Sequence, residues 1–421
     1  MAALPLAHIQ VDTGSFFAVV MVAAIAAVAV ALLPKRMAPP VVVLELVLGI
    51  VVGPHVLQLA HVDDFVEFFS NLGLGMLFYF AGYEIDFQRI KGRPLALGAW
   101  AWVLSVGLAF GIGGILAGLG VIVSFLYTGA AMATTAIGTL IPILRDNGEL
   151  KTRFGTYLLA AGGAGEFGPI LMVTLFFSTQ SALHESAILV AFVLLAIAIA
   201  MLSVRLAWQG WPALERTFEA SSQLAVRVTV VLVFGLVLLA GDLGLDVLLG
   251  GFVAGMITRM ALKGHELAVF ESKLTAVGFG FFVPFFFVTS GIAFDLSALG
   301  SPAALGKLAM FFVLFLVVRG TPMLLLYGRA MGLRDRAALA LYSATELPLV
   351  VAITTIAVDA GHMETSTAAG LVGAAMLSTL IYPFVAMALR RDALDEEAER
   401  PEPTGPFPEG EGPLPQPGLV G

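Results

Sequence analysis

The sequence predicts an all-α membrane protein of thirteen transmembrane helices, built as an inverted repeat with two discontinuous helices, spans 5 and 12. Three observations predict this class. Of 421 residues, 59% are hydrophobic and only 12% are charged, about half the charged share of a soluble domain. Apolar runs of about 20 residues, enough helix to cross a bilayer core, recur along almost the whole chain. Basic residues cluster in every second loop. These features leave no room for a sizeable soluble domain. With no cysteine, disulfides, cysteine nucleophiles and thiolate metal sites are excluded. No basic region, short apolar stretch and cleavage site open the chain, so no removable signal peptide is expected.

The spans fall at roughly 15–33, 40–59, 66–84, 94–119, 122–144, 154–178, 185–204, 224–241, 243–258, 274–293, 303–327, 337–358 and 366–389. Loops after the odd-numbered spans carry Lys35 and Arg36; Arg89, Lys91 and Arg93; Arg145, Lys151 and Arg153; Arg205 and Arg216; Arg259, Lys263 and Lys273; Arg329, Arg334 and Arg336; and Arg390, Arg391 and Arg400. The intervening loops hold neither lysine nor arginine. Only Arg227, Lys307 and Arg319 of the 22 basic residues stand outside the pattern. Basic residues near span ends stay cytoplasmic, which places the N-terminus outside and the C-terminus inside. Arg227 sits near the inner end of span 8, and Lys307 is able to snorkel to the outer surface. Residues 392–421, acidic and proline-rich without apolar periodicity, read as a disordered cytoplasmic tail.

Three pairs of strings recur in order at an offset of seven spans. LGIVVGP (48–54) pairs with LGGFVAGM (249–256), MLFYFAGYEIDF (76–87) with PFFFVTSGIAFDL (284–296), and LIPILRDNG (140–148) with ITTIAVDAG (353–361). An odd offset runs the two copies through the membrane in opposite directions, the plan of many secondary transporters, whose substrate sites lie between the copies at mid-membrane. Span 5 carries Thr134, Thr135, Gly138 and Pro142 near its centre, and span 12 carries Thr345, Glu346 and Pro348 at the equivalent depth. Proline and hydroxyl side chains weaken a helix, and unwound backbone inside a membrane offers carbonyls to a cation. A plain proline kink is the alternative for either span alone.

Ionisable residues gather at that depth. Glu166 lies about twelve residues into span 6, near the midplane at 1.5 Å per residue. Arg319 of span 11 and Glu346 of span 12 lie close to the same plane, as do Thr134 and Thr135. Each buried charge costs at least about 2.5–3.5 kcal/mol unless it pairs or meets water. A purely structural pairing of Arg319 with one glutamate would leave the other unexplained. The sharper reading is an ion and proton site centred on Glu166, where burial and a nearby arginine act on the carboxylate in opposite senses. Gly162, Gly163, Gly165 and Gly168 let the broken centre of span 5 approach it. Glu45 and Glu84, near span ends, read as packing or gating residues within reach of polar surroundings.

These residues resemble the monovalent cation/proton antiporter-2 family of bacterial sodium/proton and potassium/proton exchangers. The resemblance covers roughly residues 15–390 and rests on ELVLGIVVGP, LGLGMLFYFAGYEID, TTAIGTLIPIL and PFFFVTSGIAFDL. It implies the sodium/proton antiporter fold in a bacterial inner membrane, a homodimer embedded in lipid, and ion transport serving pH homeostasis. It also implies a mobile core of spans 4–6 and 11–13 (within 94–178 and 303–389) beside a dimerisation scaffold (within 15–84 and 185–293), together occupying residues 1–391, with broken spans 5 and 12 crossing in the core. Carried over by position, the essential carboxylate falls on Glu166, the cation ligands on Thr134 and Thr135 with nearby backbone, and the core basic residue on Arg319. Glu346 joins or tunes the site, while Gly138, Gly165, Pro142 and Pro348 supply breaks and close approach. The family places aspartate at the carboxylate position after aspartate or asparagine, whereas this chain has Gly165–Glu166. That departure points to electroneutral one-for-one exchange. The resemblance is to members without a C-terminal nucleotide-binding regulatory domain, which disfavours glutathione-gated potassium efflux.

The expectation is therefore an alternating-access, elevator-type exchanger of Na+ or K+ for H+, with no cofactor and no nucleic-acid partner. The alternative on the same fold is a sodium-coupled symporter of an organic anion. An enzyme is disfavoured, since neither His-Glu-x-x-His nor Gly-x-Gly-Asp occurs and the six histidines lie in loops or near span ends.

Overall fold

The computed structural model describes residues 12–33, 40–85, 87–176, 182–208, 223–243, 247–261 and 266–399. Among these residues every regular element is helical. Eight helices are long and apolar enough to cross a membrane: Thr13–Leu32, Asp64–Glu84, Arg93–Gly118, Leu224–Asp242, Phe270–Ile292, Pro302–Arg329, Leu333–Asp359 and Thr365–Arg390. Shorter apolar helices occur at Val41–Val52, Phe125–Ile141, Val190–Leu202 and Leu248–Ala261. Arg153–Phe176, a further helix of 24 residues, carries Glu166. Each lies where the hydropathy of the sequence places a span.

Local chemistry sets the boundaries. Asp12 caps span 1 by accepting from Gly14 N (3.0 Å), and Asp63 caps span 3 by accepting from Val66 N (2.8 Å). Ser301 accepts from Ala304 N (3.1 Å) with proline at the first position of the next helix. Span 2 is shorter than expected: its helix stops at Val52 before Gly53 and Pro54, and the following residues turn rather than continue to 59. The last helix is longer than expected. It runs through 392–399 to Glu399, because Ala393, Leu394, Glu396, Glu397 and Ala398 favour helix strongly. Residues 400–421 lie outside the described residues.

Two helices contain wide, π-type turns, Gly278–Phe282 in span 10 and Leu316–Gly320 in span 11. Each is followed within two residues by a proline, Pro284 or Pro322, which removes a donor from the helical ladder. Arg319 lies in the second. Two other helices break outright. Span 5 divides into Phe125–Met132 and Ile137–Asp146, and span 12 into Leu333–Ser343 and Pro348–Asp359. Just beyond each second half, in the paired Asp-x-Gly strings, Gly148 and Gly361 both adopt φ of 71°, which glycine adopts without a steric penalty.

Spans 1, 2, 3, 7, 8, 9 and 10 pack mainly on one another, as do spans 4, 5, 6, 11, 12 and 13. In the first group two crossings are built alike. A Cβ on Gly49 would strike the carbonyl of Val288, and one on Gly291 would strike that of Leu46. Where spans 3 and 9 cross, Gly255 stands in the same way over Tyr79 O and Gly82 over Phe252 O. Gly49 therefore corresponds geometrically to Gly255, whereas the quoted strings put Gly49 opposite Gly250.

Candidate functional site

The two helix breaks meet. Ala136 N donates to Thr345 O at 2.8 Å, joining the centre of span 5 to that of span 12. Thr135 N donates to Gly165 O at 3.0 Å, joining the same break to span 6 one residue before Glu166. Pro169 explains why that carbonyl is open. Lacking N–H, it cannot bond the oxygen four residues earlier in its helix, which is Gly165 O. Thr134, Thr135, Gly165, Arg319 and Glu346 thus converge on one buried node, with Glu166 directly beside Gly165.

Arg319 organises it. The side chain is 0% exposed. Nε reaches Thr135 Oγ1 (3.0 Å) and Ser343 O (3.3 Å), Nη1 reaches Ser105 Oγ (3.2 Å), and Nη2 reaches Thr135 Oγ1 (2.7 Å) and Ala161 O (3.3 Å). One guanidinium of span 11 therefore stitches together spans 4, 5, 6 and 12, using its planar fork of donors. Ser343 ends the first half of span 12, so the cation also sits at that half-helix's negative pole. Gly165 makes room for it: a Cβ there would collide with Arg319 Nη2 and lie 2.7 Å from Thr135 Oγ1. The Thr135 hydroxyl donates to Ser343 O (2.6 Å), so its proton and both lone pairs are committed in this conformation.

The two acids are placed differently. Glu166 is 4% exposed and its Oε2 has no hydrogen-bond partner. The backbone amide of Gly138, in the first turn of the second half of span 5, acts on its carboxylate, and a helix amino end favours an anion there. Gly138 is buried, yet among the described residues a Cβ built on it would meet no atom within 4 Å beyond its own stretch of helix. Unfilled space therefore adjoins the turn that faces Glu166. Glu346 is 0% exposed with neither carboxylate oxygen hydrogen-bonded. It lies beside Thr134, whose hydroxyl turns instead to Ala131 O (3.0 Å). Among the described residues Arg319 forms no salt bridge with either glutamate. Pro348 opens the second half of span 12, and Pro142 lies within the second half of span 5.

Several polar residues here are invisible to sequence reasoning. Ser105, Ser378 and Thr379 touch the node through their hydroxyls and Ser343 through its carbonyl, but a serine or threonine hydroxyl in an apolar helix ordinarily bonds its own preceding turn. Arg390, which reads as a loop charge, is 2% exposed, and Glu149, just beyond span 5, is 0% exposed. Arg390 Nε bonds Glu149 Oε2 (3.0 Å), Nη1 bonds Asp335 Oδ1 (2.6 Å), and the guanidinium lies 3.8 Å over Phe154. Glu45 does not reach polar surroundings as its position suggests. It is 3% exposed with Oε2 unpartnered, because span 10 packs over span 2 at the neighbouring Leu46 and Gly49. Lys307 meets Glu364, Ser366 and Thr367 at 2.8–3.1 Å.

Residues 20–389 match the family model described as sodium/hydrogen exchanger, transmembrane. The chain is 28% identical over 278 residues to the Na(+)/H(+)-K(+) antiporter GerN of Bacillus cereus, covering 64% of this chain and 69% of that protein. It is 24% identical over 382 residues to the putative Na(+)/H(+) antiporter YjbQ of Bacillus subtilis, covering 86% of this chain and 61% of that one. In structure it is similar to the sodium proton antiporter MjNhaP1 of Methanocaldococcus jannaschii, with a TM-score of 0.60 and 16% identity, over 91% of this chain and 99% of that one. That likeness shows the fold. The relatives found are antiporters, which leaves the organic-anion symporter without support.

Proposed function

The chain belongs to the sodium/hydrogen exchanger family, and from that premise we propose that it exchanges Na+ or K+ for H+ one for one across a bacterial inner membrane. The carrying observation is the state of Glu166: a buried carboxylate with an unpartnered oxygen, one residue after the Gly165 that packs against an arginine bonded to other groups. An anion left so is expensive, by about 2.5–3.5 kcal/mol at mid-bilayer, or roughly two decades in population. A proton or a monovalent cation relieves that cost equally in charge. Both loaded forms carry the same charge and cross freely, while the empty form does not.

In this reading the cation is held by Glu166, Thr134 and freed carbonyls of the span 5 break, and by Thr135 once Arg319 releases its hydroxyl. Arg319 substitutes for the cation's charge at Thr135 when the seat is empty. Glu346 keeps one charge state throughout. Spans 4–6 and 11–13 move as an elevator against spans 1–3 and 7–10, as their separate packing supports. We place thirteen crossings, with spans 5 and 12 crossing at their breaks, an external N-terminus and a cytoplasmic C-terminus. The matching glycine crossings and the paired Asp-x-Gly turns support an inverted repeat, and the family resemblance implies a homodimer.

The test is exchange in proteoliposomes with a pH-reporting dye. Sodium or potassium gradients should drive proton movement in the native protein, and Glu166→Gln should abolish it. Robust exchange by Glu166→Gln would overturn the assignment.

A further inference from the structure

A break in a buried helix leaves backbone groups without partners, at about 1–3 kcal/mol each. In span 12 the closure comes from span 13, on which the sequence singles out no residue. Ser378 Oγ of span 13 accepts from Glu346 N (3.0 Å) and lies 3.2 Å from Glu346 O and 2.8 Å from Ala375 O. Thr379 Oγ1 lies 3.2 Å from Glu346 O and 3.0 Å from Ala375 O. Two hydroxyl protons thus serve two carbonyls, while one hydroxyl lone pair serves the Glu346 amide. Both side chains are essentially inaccessible, at 0% and 1% exposed. Bonds to Ala375 are the ordinary back-bonding of a helix. Those to Glu346 join residues more than thirty apart and grip both its amide and its carbonyl.

We propose that Ser378 and Thr379 are positioning residues for ion exchange, holding the backbone of Glu346 so that its side chain stays in the node beside Thr134 and Arg319. The proposal rests on the reading that this node is the exchange site. Fixing the peptide groups on both sides of Glu346 removes the backbone freedom that would let the acid swing away from the span 5 break. It also keeps Thr345 O aligned for Ala136 N, so the two breaks stay in register.

Ser378→Ala with Thr379→Val is tested in proteoliposomes by the cation dependence of exchange at several pH values. The expected result is a rise of about tenfold in half-saturating cation concentration, the scale of one to two lost hydrogen bonds, with saturated turnover within about twofold of the native protein. Thr379→Ser alone, which keeps both hydroxyls, retains the native value. In a Glu346→Gln background the same pair adds less than its effect in the native background, because both act through that residue. An unchanged half-saturating concentration, or a fully additive effect in Glu346→Gln, would overturn the proposal. Thr379→Val alone, checked by cation-induced thermal shift in detergent, carries the test if the double variant does not fold. Failure here with Glu166→Gln still inactive would leave the exchange site standing.

Discussion

The two interrupted helices of the core close their breaks by opposite means. At span 12 the peptide groups of Glu346 are taken by the hydroxyls of Ser378 and Thr379, so the backbone is pinned and the carboxylate is left alone. At span 5 the backbone is tied lightly, by Gly165 O and Thr345 O, while Arg319 takes up the threonine hydroxyl. Glu166, on the neighbouring helix, faces a half-helix amino end with open space beside it. In the proposed exchange, this difference gives one break the role of holding the framework and the other that of receiving cargo.

The strongest challenge to that contrast is Gly165→Ala. Its methyl group would push Arg319 and Thr135 apart, so overpacking of about 1–3 kcal/mol is expected, with exchange lost and a lowered melting temperature in detergent. Native-like transport would show that Arg319 need not approach Thr135. A second challenge uses voltage. If Glu166 alone changes protonation, the proton gradient reached at a fixed cation gradient is unaffected by a clamped membrane potential, in the native protein and in Glu346→Gln alike. A net charge moved per cycle would shift that endpoint, since each elementary charge responds by about 2.3 kcal/mol per 100 mV. Such a shift would give Glu346 a proton of its own. The mildest effect is expected of Gly138→Ala. Alanine favours a helix by about 1 kcal/mol over glycine, so stability holds or rises. Filling the space beside the carboxylate still weakens apparent cation affinity by about threefold, the scale of one displaced ordered water. Unchanged affinity would mean that this space takes no part in the seat.

The sequence carries the spans, the breaks and the charged members of the node because each violates a strong expectation. A glutamate, an arginine or a proline inside an apolar run is costly, so its presence asks for a reason. Glu166, Arg319, Glu346 and Pro348 stand out for this reason. Gly165 is legible as a close-approach position, but its partner, the guanidinium, emerges only from the fold. Ser105, Ser378 and Thr379 carry no such cost, because a hydroxyl in a helix satisfies itself, and their non-local bonds depend on how spans 4 and 13 lie against the breaks. Arg390 misleads for a related reason. Position near a span end suggests water, whereas Glu149, Asp335 and Phe154 close around it.

That Glu166 trades a proton for a cation is tested most directly by proton release on binding. Sodium or potassium added to the purified protein in weakly buffered detergent should release about one proton per protomer at a pH where the empty seat is protonated, and Glu166→Gln should release none. Equal release from Glu166→Gln and the native protein would contradict the account.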